Sequence, residues 1–104
     1  MSEFSDVAIV REANVYFEGK VTSRTIRFPG GESKTLGIML PGEYSFNTDV
    51  AEHMEVLAGD LDIQLPGEAS WRTIAGGESF EVPASASFSL RVRAVTDYCC
   101  SYLA

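Results

Sequence analysis

Apolar and polar residues alternate with a period of two over short runs along most of this chain. Leu36, Ile38 and Leu40 share one face of such a run, as do Tyr44 and Phe46, Met54 and Val56, and Leu61, Ile63 and Leu65. Phe80 and Val82 follow the same rule, and so do Phe88, Leu90 and Val92. Alternation of this kind marks strands that bury one face and expose the other. Turn signals separate the runs at Pro29-Gly30-Gly31, Pro41-Gly42, Gly59-Asp60, Pro66-Gly67, Gly76-Gly77 and Pro83-Ala84-Ser85. No segment carries apolar residues at helical spacing for three turns, and the glycines and prolines would interrupt a long helix. The pattern predicts an all-β chain of about nine or ten strands. Strands that each bury one face and hide their edges leave a sandwich, a jelly roll or a barrel. Residues 1–13 read as a lead-in or an extra edge strand, and residues 14–104 as the barrel domain.

The alternation also places the polar residues. In the run that starts at Glu52, the apolar register is Glu52, Met54 and Val56, so a carboxylate faces inward at the head of a strand. Charged side chains seldom point into a core without a partner or a task. His53 and Glu55 fall with Leu57 on the opposite face, which makes the lone histidine a surface residue.

Composition narrows the function classes. A length of 104 residues suits one domain, so any site belongs to one pocket or one surface. With 45% apolar and 22% charged residues the balance is that of a globular protein, and no apolar run approaches the roughly 20 residues of a membrane span. The first residues carry Glu3 and Asp6 where a signal peptide would be basic, so the cytoplasm is the expected compartment. Cys99 and Cys100 are neighbours, and strand geometry sends their side chains to opposite faces, so both are expected to be reduced and structural. A net charge of −7 argues against nucleic acid as a partner. The charge is uneven: five of the eight basic residues, Arg11, Lys20, Arg24, Arg27 and Lys34, lie in the first third, and an anionic small molecule could bind near them.

Two spacings carry a resemblance. Glu52 is followed after six residues by Gly59, and Gly77 after five residues by Pro83, with a hairpin between. These resemble the two motifs of the cupin superfamily, which implies a single-domain cupin-type β-barrel, a jelly roll. In that pattern histidines before the Glu and after the Pro join the Glu in holding a divalent metal. The corresponding places here are Ser45, Phe46, Asn47, Thr48 and Phe88, none of them histidine. A lone carboxylate among Ser, Asn and Thr is a poor site for a transition ion, so a metal-free cupin is expected.

The strings NVYFEGKV, GIMLPGEYSF, EHMEVLAGDLDIQLPG, GGESFEVPASASFSLRV and DYCCSYL, together with Trp71, are similar in order and spacing to the small-cupin family of pyrimidine/purine nucleoside phosphorylases. The similarity spans roughly residues 14 to 103. It implies a pentosyltransferase that cleaves purine and pyrimidine nucleosides with inorganic phosphate, giving free base and ribose 1-phosphate with no bound cofactor.

Phosphorolysis of a glycosidic bond passes through an oxocarbenium-like sugar, so the catalyst must place phosphate beneath C1′, stabilise positive charge and help the base depart. Glu52 is the catalytic candidate, either protonated and donating to the base or ionised beside the ribosyl cation. Tyr44, Phe46, Phe88, Tyr98 and Tyr102 are candidates for an aromatic platform that accepts both base sizes, and Glu43 for a residue at the mouth. Arg24, which shares the parity of Ile26 and Phe28, and Lys34, after the Gly30-Gly31 turn, are the candidates for phosphate. Arg91 and Arg93 alternate away from Leu90 and Val92 and are expected outside or in a subunit interface. A barrel this small would gain buried area by pairing, so a homodimer is expected. Two other functions fit the same residues: a binding cupin that holds a nucleoside or sugar without turnover, and a dimerisation domain with a filled barrel.

Overall fold

The computed structural model describes residues 2–103. The alternating runs become eleven strands: β1 (Ala8–Ile9), β2 (Asn14–Tyr16), β3 (Val21–Arg27), β4 (Ser33–Met39), β5 (Gly42–Asn47), β6 (Ala51–Ala58), β7 (Asp60–Gln64), β8 (Arg72–Ala75), β9 (Ser79–Val82), β10 (Ser87–Val92) and β11 (Thr96–Leu103). The excess over nine or ten comes from β1 and β2, which are too short to display an alternation.

All pairings are antiparallel, in two sheets. The larger has the order β1-β3-β4-β11-β6-β9, with β2 also on β3, and the smaller the order β5-β10-β7-β8. From β4 onward the chain passes repeatedly between the sheets, as a jelly roll requires. The inner faces meet in one core. The smaller sheet contributes Tyr44, Leu61, Ile63, Ile74, Phe88, Leu90 and Val92; the larger contributes Val21, Met39, Met54, Val56, Phe80, Val82, Tyr98 and Cys100. The apolar sets read from the alternation of β6, β7, β9 and β10 lie in this core, with Leu65 partly buried against it.

β4 reverses its expected face. Leu36, Ile38 and Leu40 point away from the core, with Ile38 and Leu40 exposed at 37% and 40%, and Thr35, Gly37 and Met39 face inward. The register decides this. β4 lies beside β11, where Tyr98 pairs with Gly37 and Cys100 with Thr35, and the bulky Tyr98 and Cys100 take the interior. A glycine opposite an inward tyrosine leaves space for the ring. The vicinal cysteines split as expected, both free and buried, Cys100 within the core and Cys99 beneath the outer face.

The open end of the barrel is set by few contacts. Thr48 follows β5, and its buried hydroxyl donates to the Pro83 carbonyl at 2.6 Å and accepts from the Ala86 amide at 3.0 Å. This ties the end of β5 to the β9–β10 turn and holds Asn47 and Asp49 at the rim.

Candidate active site

A cavity of about 250 Å³ opens between the two sheets at this end, a little below the roughly 300–1,000 Å³ usual for ligand pockets. Its floor comes from the larger sheet, where Ser23, Thr35, Met39, Met54, Tyr98 and Cys100 line it. Phe46 and Phe88 form the opposite wall, their rings stacked with centroids 5.8 Å apart. Glu52, Tyr102, Asn47, Asp49 and Tyr16 complete the lining.

Glu52 sits on β6 between Tyr102 of β11 and Val82 of β9. Its inward direction follows from sharing parity with the buried Met54 and Val56. Burial raises its pKa above the ordinary carboxylate value, and a hydrogen bond from the Cys100 side chain opposes that rise. Burial pushes the Cys100 thiol strongly up, and the neighbouring Glu52 carboxylate adds to it, so Cys100 is a neutral donor and not a thiolate. Burial likewise raises Tyr98 and Tyr102. Protonated hydroxyls and a thiol therefore surround a carboxyl whose acid form is favoured more than that of an exposed glutamate.

One side is closed by a strained turn. Phe17 and Glu18 both take positive φ, 51° and 58°, followed by Gly19 at 93°. Two successive non-glycine residues in that region cost free energy, which packing must offset. The Phe17 ring lies 5.0 Å from Tyr44 and 5.4 Å from Phe46, and Tyr16 lies 6.2 Å from Phe46. This aromatic cluster holds Tyr16 against the cavity.

Of the residues singled out from sequence, Glu52, Phe46, Phe88, Tyr98 and Tyr102 converge on the cavity. Tyr44 does not. It is a core residue whose hydroxyl donates to the Leu40 carbonyl at 2.7 Å, and it supports Phe46 from behind. Glu43 is also outside, exposed and 3.3 Å from Arg91, because it alternates with the inward Tyr44. The two phosphate candidates are misplaced as well. Arg24 is exposed on the outer face, its Nε donating to the Arg11 carbonyl, since Ile26, whose parity it shares, is buried on that outer side opposite Ile9. Lys34 alternates with the inward Thr35 and lies over the Phe4 and Phe28 rings at 5.4 and 5.7 Å. Arg91 and Arg93 point outward, Arg91 over Trp71 and Arg93 onto Asp60 and Asp62. His53 is on the outer face, 3.5 Å from Glu81.

Sequence reading missed Tyr16, Asn47, Asp49, Ser23, Thr35 and Cys100. For Cys100 a signal existed, since it lies midway between Tyr98 and Tyr102 at period two. For Tyr16 there was none, because β2 is three residues long.

A model of the family described as pyrimidine/purine nucleoside phosphorylase matches residues 11–102. The chain belongs to that family. It is 66% identical over 103 residues to the pyrimidine/purine nucleoside phosphorylase of Geotalea uraniireducens, covering 99% of each chain. Among solved structures, a protein of unknown function from Acinetobacter superposes with a TM-score of 0.93 at 33% identity, over 96% of this chain and 97% of that one. An RmlC-like cupin from Shewanella frigidimarina superposes with a TM-score of 0.70 at 14% identity, over 97% of this chain and 86% of that one, and this likeness shows that the chain has a cupin-like fold.

The cavity lining holds, among the described residues, no imidazole of the kind that the cupin metal pattern uses. Among the described residues no three metal-ligating side chains come together. Where a cupin would supply imidazoles, Phe46 and Phe88 offer rings without donors and Thr48 is committed to the Pro83 carbonyl. A carboxyl with a raised pKa beside a neutral thiol is a poor first ligand for a transition ion.

Proposed function

We propose that this chain cleaves purine and pyrimidine nucleosides with inorganic phosphate to free base and ribose 1-phosphate, in the cavity between its sheets and without a metal. The observation that carries the reading is a carboxyl of raised pKa, Glu52, set inside an aromatic-walled cavity of a chain that belongs to this family. Phosphate oxygen forms the new bond to C1′ while the bond from C1′ to the base nitrogen breaks, and its electron pair passes to the base. The Glu52 carboxyl donates its proton to that nitrogen, and the proton that ribose 1-phosphate then releases returns to the carboxylate through solvent, restoring the starting state. As the sugar becomes cationic, the transient carboxylate lies close enough to stabilise it. Phe46, Phe88 and Tyr16 offer faces on which either size of base can stack, which suits a broad base range.

Purified protein treated with chelator is expected to release base from uridine, inosine and adenosine only when phosphate is present, with ribose 1-phosphate in equal amount. Tight nucleoside binding with no phosphate-dependent release, in a folded sample, would instead make this a binding cupin.

The chain is also proposed to act as a homodimer through the outer face of the larger sheet. Ile38, Leu40 and Leu57 are exposed there at 37%, 40% and 46%, an apolar set that a second copy of the chain would cover. Sedimentation equilibrium is expected to give twice the chain mass for wild type and the single chain mass for Ile38→Glu; a monomeric wild type would end the proposal.

A further inference from the structure

Phosphate must be held as an anion, yet among the described residues the ionisable carboxyls of Glu52 and Asp49 line the cavity and no basic side chain does. The cation has to come from the rim. Inward residues of the larger sheet fall in cross-strand rows, and the row at the open end can be followed strand by strand. Arg27 pairs with Ser33 across β3 and β4. Lys34 pairs with Ser101 across β4 and β11, so one step along the register Ser33 stands opposite Tyr102. Tyr102 pairs with Glu52 across β11 and β6. The row thus reads Arg27, Ser33, Tyr102, Glu52, and two of its members line the cavity.

The inward parity of Arg27 is fixed by its own strand. Val21 and Ser23 are buried, Ser23 lines the cavity, and Thr25 accepts a hydrogen bond from the Asn14 side chain that also reaches Ser23. Arg27 is the next residue of that set and the last of β3. The other basic residues of strands near this end, Arg24 and Lys34, have the opposite parity. Arg27 is exposed and enters no ion pair among the described residues, so its guanidinium is free to bind a ligand.

Resting on the phosphorolysis reading above, we infer that Arg27 is the phosphate-binding residue, its guanidinium holding inorganic phosphate at the rim with the hydroxyls of Ser33 and Tyr102 beside it. A planar fork of N–H donors matches two phosphate oxygens at once. Arg27 and Glu52 stand three strand spacings apart, roughly 14 Å between backbones. With both side chains reaching inward, the ribose falls between them. That arrangement suits a displacement at C1′, in which the nucleophile enters from one side and the base, protonated by Glu52, departs on the other.

The test is steady-state kinetics of Arg27→Ala and Arg27→Lys, with phosphate and nucleoside varied separately. Arg27→Ala is expected to raise KM for phosphate by about ten- to a hundredfold, to leave KM for nucleoside within about twofold, and to be partly rescued by Arg27→Lys. An unchanged phosphate KM, or an equal rise in both KM values, would overturn the assignment. If wild type itself shows no phosphate-dependent turnover, the phosphorolysis reading fails, and calorimetry with inorganic phosphate then decides the anion site alone. Heat with wild type that is lost in Arg27→Ala would uphold the site; no heat with wild type, or equal heat with both, would end it. Because Arg27 is exposed, its removal is expected to leave the thermal midpoint unchanged.

Discussion

Glu52→Gln is expected to fold as wild type does and to lose turnover by about a hundred- to ten-thousandfold, the contribution of a positioned general acid. Glutamine keeps the shape and can still accept from Cys100, but it has no proton to give a departing base. The pH dependence separates this role from simple packing. Because burial raises the Glu52 pKa, the acid form persists above the ordinary carboxylate range, and turnover should fall as pH rises through the raised value. Stability follows the same sign. A raised pKa contributes stability that is fully present below the unfolded value of about 4.3 and is lost as pH rises through the folded value. Glu52→Gln lacks that loss, so its thermal midpoint should gain on wild type between acid and neutral pH. Equal turnover in the two proteins, or midpoints that keep a constant difference across that range, would remove Glu52 from the chemistry.

Gly37→Ala is expected to destabilise the domain by about 2–4 kcal/mol, at the severe end for a single added methyl group. Gly37 does not owe its place to an unusual φ; it is chosen by space. A β-carbon there would overlap the Thr22 carbonyl oxygen of β3 and lie 2.8 Å from the Tyr98 hydroxyl and 2.9 Å from the Ser23 β-carbon. The same Thr22 carbonyl accepts the Tyr98 hydroxyl at 3.4 Å. Relief would require β3 to move from β4 or the tyrosine to leave the cavity floor, so substrate binding should weaken along with stability. Gly67→Ala supplies the comparison. It has a φ of +75° but nothing within reach of a β-carbon, so it carries only the backbone cost of about 1–2 kcal/mol. A thermal midpoint for Gly37→Ala at or above that of Gly67→Ala would show that the close approach is accommodated at little cost.

The residues misplaced on β3 and β4 share a cause. Arg24, Lys34, Leu36 and Ile38 lie on two adjacent strands whose inward face, between the core residues Val21 and Met39 and the open end, is polar or bare: Ser23 and Thr25 on one, Thr35 and Gly37 on the other. Alternation finds the buried face by its apolar residues. Here the inward face is the wall of a cavity, and its hydroxyls look like a solvated surface in the sequence. The apolar set on the other side looks like a core, although it lies on the outer face of the sheet. Local pattern is misleading on these strands because the cavity replaces core there, and sequence rules fail most readily at functional sites.

The sequence by itself determined the all-β class, the single core of β6, β7, β9 and β10, the inward carboxylate of Glu52, the division of Cys99 and Cys100, and the likeness to a family. Each of these depends on parity within one strand or on short fixed spacings, and a period of two is a local property of the backbone. The tertiary structure alone decided which residues share the cavity. Cys100 reaches Glu52, Tyr16 is held by Phe17 and Phe46, and Arg27 enters the row of Glu52, all through pairings between strands distant in the chain. Register across β3, β4, β11 and β6 depends on the packing of large side chains such as Tyr98 over Gly37, and that competition for space exists only once the sheets have closed on each other.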